Sequence, residues 1–139
     1  MGYHHVAVGE IEPAPDRPSV QRSVSDAAGL ENVAVNRYEV EPGEAVPLAY
    51  HYHDQQEEVF YVLSGTLSVE TPDETYEVAA DEAFVVEPDS PQRAHVPESA
   101  DERAVALVVG APAVDDVHAY EESESGDEEN ESGNGGDDA

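Results

Sequence analysis

Two histidines separated by a single residue, His51 and His53, begin the segment "HYHDQQEEVFYVLSG", and Glu58 follows within the same stretch. On a β-strand, side chains two residues apart point to the same face, so both imidazoles would lie together. A bend in the intervening chain would bring the carboxylate of Glu58 back beside them. Two imidazoles and one carboxylate with open positions between them suit iron and similar divalent ions. The spacing therefore predicts a metal site.

Each of these side chains also has an ordinary structural interpretation. A pair of histidines at a strand end can simply be bonded to neighbours or to water. Glu58 is one of 33 acidic residues, so a nearby carboxylate is expected by chance. Glu57 would face the opposite way on a strand and is interpreted as a surface acid. Only the joint spacing of His51, His53 and Glu58 favours the metal site.

The runs that must position these side chains are short, rich in β-branched or aromatic residues, and bounded by Pro, Gly, Asp or Ser. Such spacing predicts an all-β domain, an antiparallel sandwich or barrel. The segment "TLSVETPDETYEVA" has apolar residues alternating on both arms and predicts a hairpin. The predicted strands are "VAVNRYEV", "EVFYVL", "TLSVE", "TYEVA", "AFVVE" and "RAVALVV".

The two ends of the chain have a different character. We expect residues 1–32 to hold a first strand over 3–8, a proline-rich connector over 12–19, and one helical turn within 23–31 that ends at Gly29. The barrel core is predicted over 33–112. Residues 113–139 form an acidic tail, and the low-complexity part from about residue 119 is predicted to be disordered.

The charge balance is extreme, with 33 acidic residues against 5 basic ones and a formal net charge of −28. The last 21 residues hold nine of the acids, so most of the acidity belongs to the folded body. High salt would screen the resulting self-repulsion. The composition is similar to that of proteins from salt-in halophilic archaea, which we expect as the source. We expect no nucleic-acid partner, because phosphate neutralisation needs cations and this chain has only five.

The sequence also limits the kind of metal ligand and the location of the protein. It has no cysteine, which excludes disulfides and thiolate sites, so nitrogen and oxygen must hold any metal. No apolar run approaches the length of a membrane span, and the first residues lack the regions of a signal peptide. We therefore expect a cytoplasmic protein without a membrane partner.

The segment around the two histidines resembles the first motif of the cupin superfamily, H-x-H-x(4)-E-x(6)-G. The matching positions are His51, His53, Glu58 and Gly65. The later segment "FVVEPDSPQRAH" at 84–95 is similar to the second motif, P-x-G-x-x-H, although Gln92 stands where the family has its fourth ligand, a histidine. His95 lies three residues further on, so on a regular strand it would face the other way.

The resemblance implies a small single-domain cupin with an antiparallel double-stranded β-helix, or jelly-roll, barrel. It implies a divalent metal (Fe, Mn, Ni or Zn) held by His51, His53 and Glu58, with Gln92 as a candidate fourth ligand. Such a protein would be a metal-dependent enzyme on a small molecule, of oxygenase or sugar-isomerase type. The alternative is a non-catalytic cupin with an altered metal site that binds a small ligand or serves as a dimerising module. Homodimerisation is expected from the family and from the need of the N-terminal strand for a partner.

Overall fold

Ten strands make up about half of the described part of the protein. A computed structural model describes residues 2–120, apart from the side chains of 47–49. The elements in chain order are a 3-10 helix (Val8–Glu10), β1 (Val20–Ser23), α1 (Val24–Ala28), β2 (Ala34–Val40), β3 (Ala45–His53), β4 (Glu57–Ser64), β5 (Thr66–Glu70), β6 (Thr75–Ala79), β7 (Ala83–Val86), β8 (Gln92–His95), β9 (Ala104–Ala111) and β10 (Val117–Ala119).

The strands form two five-stranded sheets, in the orders β1-β2-β9-β4-β7 and β10-β3-β8-β5-β6. The pairings are antiparallel, as the sequence predicts for an all-β jelly roll. The predicted hairpin is β5 and β6, which pair from Thr66 opposite Ala79 to Glu70 opposite Thr75. The core lies between the two sheets.

β4 illustrates how alternation builds this core. Phe60 and Val62 are almost fully buried, while Val59, Tyr61 and Leu63 are exposed. Because alternate side chains point to opposite faces, Glu58 shares the inner face with Phe60 and Val62. The same rule that buries the apolar side chains therefore points an acid into the interior.

The turn from β4 to β5 depends on Gly65. Its φ is +75°, and a Cβ there would overlap the carbonyl oxygen of Arg103. Only glycine combines this backbone conformation with so close an approach. The last position of the first motif is therefore explained by packing.

The N-terminal prediction was partly wrong. Residues 2–7 form no strand, and the first strand is β1, which pairs with β2. In the described structure, residues 2–7 have no strand beside them to complete a backbone ladder, whereas β1 is held by β2. The first strand therefore does not need a second copy of the chain as its partner, and this part of the argument for a homodimer no longer holds. The predicted helical turn is confirmed as α1, where the Ser23 side chain caps Asp26 N and Gly29 ends the helix at a φ of 71°.

The C-terminal segment holds a strand where the sequence indicated acidic tail. β10 pairs with the end of β3, with Val117 opposite His53 and Ala119 opposite His51. The sheet therefore extends beyond the predicted barrel bounds of 33–112. The prediction of disorder from about residue 119 falls almost wholly on residues 121–139, which lie outside the described residues.

Candidate metal centre

The side chains of His51, His53 and Glu58 converge inside the barrel. One ligand atom from each lies within 4.8 Å of the others. The two histidines are 5% and 7% exposed, and the side chain of Glu58 is 14% exposed. His53 Nε2 lies 3.6 Å from Glu58 Oε1, and the two imidazole rings are 5.0 Å apart between centroids. The structure thus brings the predicted triad together in a buried position.

The strands explain this convergence. β3 carries His51 and His53 on its inner face, two residues apart. The chain then turns and enters β4, which places Glu58 on the inner face of the opposite sheet. His51 is directly opposite Gln92 of β8, across a register shift that follows Val46.

Gln92 lies beside the triad and is 1% exposed. Its Nε2 donates a hydrogen bond to Glu58 Oε1 at 3.4 Å, and its Oε1 is buried without a hydrogen-bond partner among the described residues. His95 lies on the other face of β8, with its Nε2 3.8 Å from Glu70. The structure thus places Gln92 at the site and His95 away from it.

Sequence reasoning missed Asp116, which precedes β10. Its Oδ1 accepts a hydrogen bond from His53 Nδ1 at 2.8 Å, and its side chain is 7% exposed. Its Oδ2 accepts from the backbone N–H groups of Gln55 and Gln56 at 2.6 and 3.0 Å. One carboxylate therefore holds both a candidate ligand and the turn that leads to Glu58.

The carboxylate of Asp116 is kept ionised by these contacts. Burial opposes ionisation, but the hydrogen bonds from Gln55, His53 and Gln56 outweigh it and lower the pKa of Asp116. Because a carboxylate only accepts, His53 Nδ1 carries the proton. In the neutral imidazole this leaves the lone pair of Nε2 for the interior of the site, the usual arrangement for a ligating histidine.

Glu58 is in a less favourable environment. Burial raises its pKa, with a further contribution from Asp116 and a partial offset from His53. His53 Nε2 is buried without a hydrogen-bond partner in the described part of the chain, and it faces Glu58 Oε1. Two electron-rich atoms that face each other at this distance are stabilised by a cation between them. The arrangement of buried nitrogen and oxygen donors therefore fits a divalent metal ion.

Aromatic and imidazole side chains hold β10 against β3 on the outer face. The ring of Tyr52 stacks on His118 with centroids 5.2 Å apart, and His118 Nε2 lies 2.7 Å from Asp54 Oδ2. The rings of Tyr50 and Tyr120 are 5.1 Å apart. The tyrosines that alternate with His51 and His53 therefore pack on His118 of β10 and on Tyr120, which follows it.

Comparison with known proteins identifies the family. A family profile for the cupin domain matches residues 36–110, which is more than half of the chain. The protein belongs to the cupin family. No curated protein matches this cupin.

Solved structures with the same fold include enzymes. A sugar phosphate isomerase from Silicibacter pomeroyi is 23% identical, with a TM-score of 0.71 over 86% of this chain and 82% of that one. The polyketide cyclase RemF from Streptomyces resistomycificus is 20% identical, with a TM-score of 0.69 over 84% of both chains. A protein from Acidithiobacillus ferrooxidans, provisionally described as a sugar phosphate isomerase, is 27% identical with a TM-score of 0.62; the alignment covers 72% of this cupin but only 62% of that protein.

None of the helices described in this cupin is long and apolar enough to cross a membrane.

Proposed function

We propose that this cupin binds one divalent transition-metal ion through His51, His53 and Glu58 and uses it to act on a small molecule in the barrel. The supporting observation is the burial of two imidazoles and a carboxylate with ligand atoms within 4.8 Å of one another. Nothing in the fold requires these polar groups there, since apolar side chains would pack at lower cost. The neighbouring isomerase and cyclase structures show that this fold supports small-molecule chemistry in those proteins.

The chain's own residues orient the candidate ligands. When bound, the ion would serve as a Lewis acid and as a template for the small molecule. Asp116 holds the proton on His53 Nδ1 and so directs the Nε2 lone pair to the site. Gln92 holds Glu58 Oε1 through its amide nitrogen. In that orientation Gln92 supports the ligand carboxylate, and it would have to turn its oxygen inward to act as the predicted fourth ligand.

Elemental analysis of the full-length protein, purified without chelator in high salt, tests the metal site. We expect about one equivalent of metal in the wild type and less than about one tenth of that in His51→Ala/His53→Ala, because two of the three donors are lost. A matched control is His4→Ala/His5→Ala, which removes two exposed imidazoles that are distant in sequence from the candidate ligands. Equal metal in the wild type and in the His51/His53 variant would contradict the proposal.

The second candidate is a cupin without resident metal that binds a small ligand or acts as a dimerising module. The observation that favours it is Gln92, a neutral amide at the position where the family motif has a histidine. Under this alternative, Gln92→His should convert a protein without stoichiometric metal into one that binds it. Under our proposal the wild type already holds the metal, and the substitution tightens binding by about tenfold or less. Zinc titration of both forms separates the two. Homodimerisation and a cytoplasmic location stay predictions.

A further inference from the structure

The outer face of β4 and β7 exposes large apolar side chains. Eight large hydrophobic side chains are exposed in the described part of the chain, and four of them lie on this face. They are Val59, Tyr61, Leu63 and Val85, and Val85 is 61% exposed. The outer face of an antiparallel sheet that meets water is normally polar, so this clustering indicates a surface that another molecule covers.

Strand pairing joins these side chains into one continuous patch. Val59 is directly opposite Val85 on one side and Val109 on the other, and Val109 is opposite Val35. Because paired side chains of antiparallel strands share a face, four valines form a row from β2 to β7. The next row on this face continues the apolar surface over three strands: Leu107, Tyr61 and Ala83. We call these two rows, with Leu63, the apolar patch.

The apolar patch carries no acid in a molecule that is otherwise very acidic. Of 139 residues, 33 are acidic, and the formal net charge is −28. The two rows contain no acid, and the one charged side chain that continues them is Arg37, opposite Leu107. Two copies of a protein with this charge repel each other least when they approach through a face without acids. The charge therefore favours self-association through the apolar patch over any face that carries acids.

The two margins of the apolar patch carry opposite charge. The β2 margin is positive, because three arginines lie around two carboxylates: Arg22, Arg37, Arg103, Glu39 and Glu41. The β7 margin is negative, since Asp81 accepts a hydrogen bond from the Tyr61 hydroxyl and no arginine of the described chain lies beside it. A two-fold axis parallel to the strands places the β2 margin of one copy over the β7 margin of the other. The opposite charges then meet.

The apolar patch has the size of a small interface. Four strands about 4.8 Å apart and three outer rows about 6.8 Å apart cover about 20 Å by 20 Å. Two such faces, with side-chain relief and the charged margins included, would bury about 1,000 Å² of accessible surface, the lower end of specific interfaces between proteins. The patch therefore fits a dimer that dissociates on dilution, with a Kd of roughly 1–100 µM.

We propose that a second copy of this chain packs face to face on the apolar patch, with a two-fold axis parallel to the strands between β9 and β4. Sheets that pack in this way keep their mean strand directions within about 30° of each other. The proposed metal centre lies on the inner side of the sheet, with Glu58. Self-association therefore does not rest on the metal function, and the metal-free protein suffices to test it.

Sedimentation equilibrium of the full-length chain tests self-association, in about 2 M NaCl to screen the net charge. We expect the mass of two chains at about 200 µM and a smaller average mass at about 1 µM. Val85→Asp places an unpaired carboxylate in the apolar patch and should raise the dimer Kd by about tenfold or more. The control Val114→Asp makes the same change at an exposed valine between β9 and β10, outside the patch, and should dimerise like the wild type.

Two results of this experiment would overturn the proposal. A wild-type chain that stays monomeric at about 200 µM would leave the apolar patch to a different partner. A Val85→Asp variant that dimerises like the wild type would place the interface on another face. If circular dichroism shows that Val85→Asp does not fold, the mass of the wild type and the cross-linking pattern below decide.

Cross-linking tests the position of the axis. The chain has no cysteine, so one introduced thiol reports on one position. Val59→Cys, beside the proposed axis, should be joined to its counterpart by a bis-maleimide linker about 8 Å long, since packed sheets lie about 10 Å apart. Thr75→Cys, exposed on β6 of the other sheet, should stay uncoupled. Coupling of Thr75→Cys but not of Val59→Cys would move the interface to the other sheet and overturn the proposal.

Discussion

The pair formed by His53 and Asp116 shows how a single contact would prepare a histidine to bind a metal ion. A neutral imidazole can carry its proton on either nitrogen, and only one arrangement leaves Nε2 free for an ion. Asp116 selects that arrangement because its Oδ1 accepts a hydrogen bond of 2.8 Å from His53 Nδ1. The carboxylate is itself held by two backbone N–H groups, so its position does not depend on His53 alone.

Asp116→Ala should weaken zinc binding by about 10- to 100-fold, the usual cost of losing a carboxylate behind a ligating histidine. Competition titration against a chromophoric chelator measures the Kd. Asp115→Ala, at an exposed neighbour, is the control and should bind zinc like the wild type. Equal zinc affinities of Asp116→Ala and Asp115→Ala would show that Asp116 does not contribute to zinc binding. Nitrogen chemical shifts of the His53 ring give an independent reading of the tautomer.

At the level of strands, the sequence predicted those elements whose own residues favour a strand, and it missed those that depend on contacts with distant residues. β4 was predictable because it is a short run of β-branched and aromatic residues that ends before a glycine, and the triad followed from the joint spacing of His51, His53 and Glu58. β10 was not, because Val117–Ala119 is three residues long and lies among acids, so only its pairing with β3 marks it as a strand. Asp116 was missed for a related reason: its partner His53 is 63 positions away, and no periodicity connects them.

Truncation tests the importance of β10 for the site. A chain that ends at Tyr120 keeps β10 and Asp116 and should retain the zinc affinity of the full-length protein. A chain that ends at Val114 loses both and should bind zinc at least tenfold more weakly, because His53 and the β3–β4 turn lose their support. Zinc titration of both truncated chains measures this. Weak binding in the chain that ends at Tyr120 would show that residues 121–139 contribute to the site.

The whole molecule carries a net charge of −28 with very few cations to balance it. Three of the five arginines converge on one carboxylate of the outer face: Glu39 lies 2.7 Å from Arg37, 3.3 Å from Arg103 and 3.8 Å from Arg22. With five basic residues for 33 acids, most acids in the described part of the chain have no arginine beside them and repel each other. Salt at molar concentration shortens the Debye length to about 3 Å and removes most of this repulsion.

We expect the urea midpoint to rise by about 1 M or more between 0.1 M and 2 M NaCl, which corresponds to about 1–3 kcal/mol at ordinary m-values. Circular dichroism at each salt concentration follows the unfolding. The chain that ends at Tyr120 lacks nine of the 33 acids and should keep most of the salt effect, since the charge is spread over the folded body. A midpoint independent of salt would contradict this explanation.

The distance along the chain between His53 and Asp116 has a consequence for biosynthesis. At 5–20 residues per second, the 63 positions between them take roughly 3 to 13 seconds to translate. Throughout that interval His53 has already been synthesised, whereas Asp116, whose carboxylate orients its ring, has not. Until Asp116 and β10 have been synthesised the proposed site lacks this support, so tight metal binding would begin only late in translation.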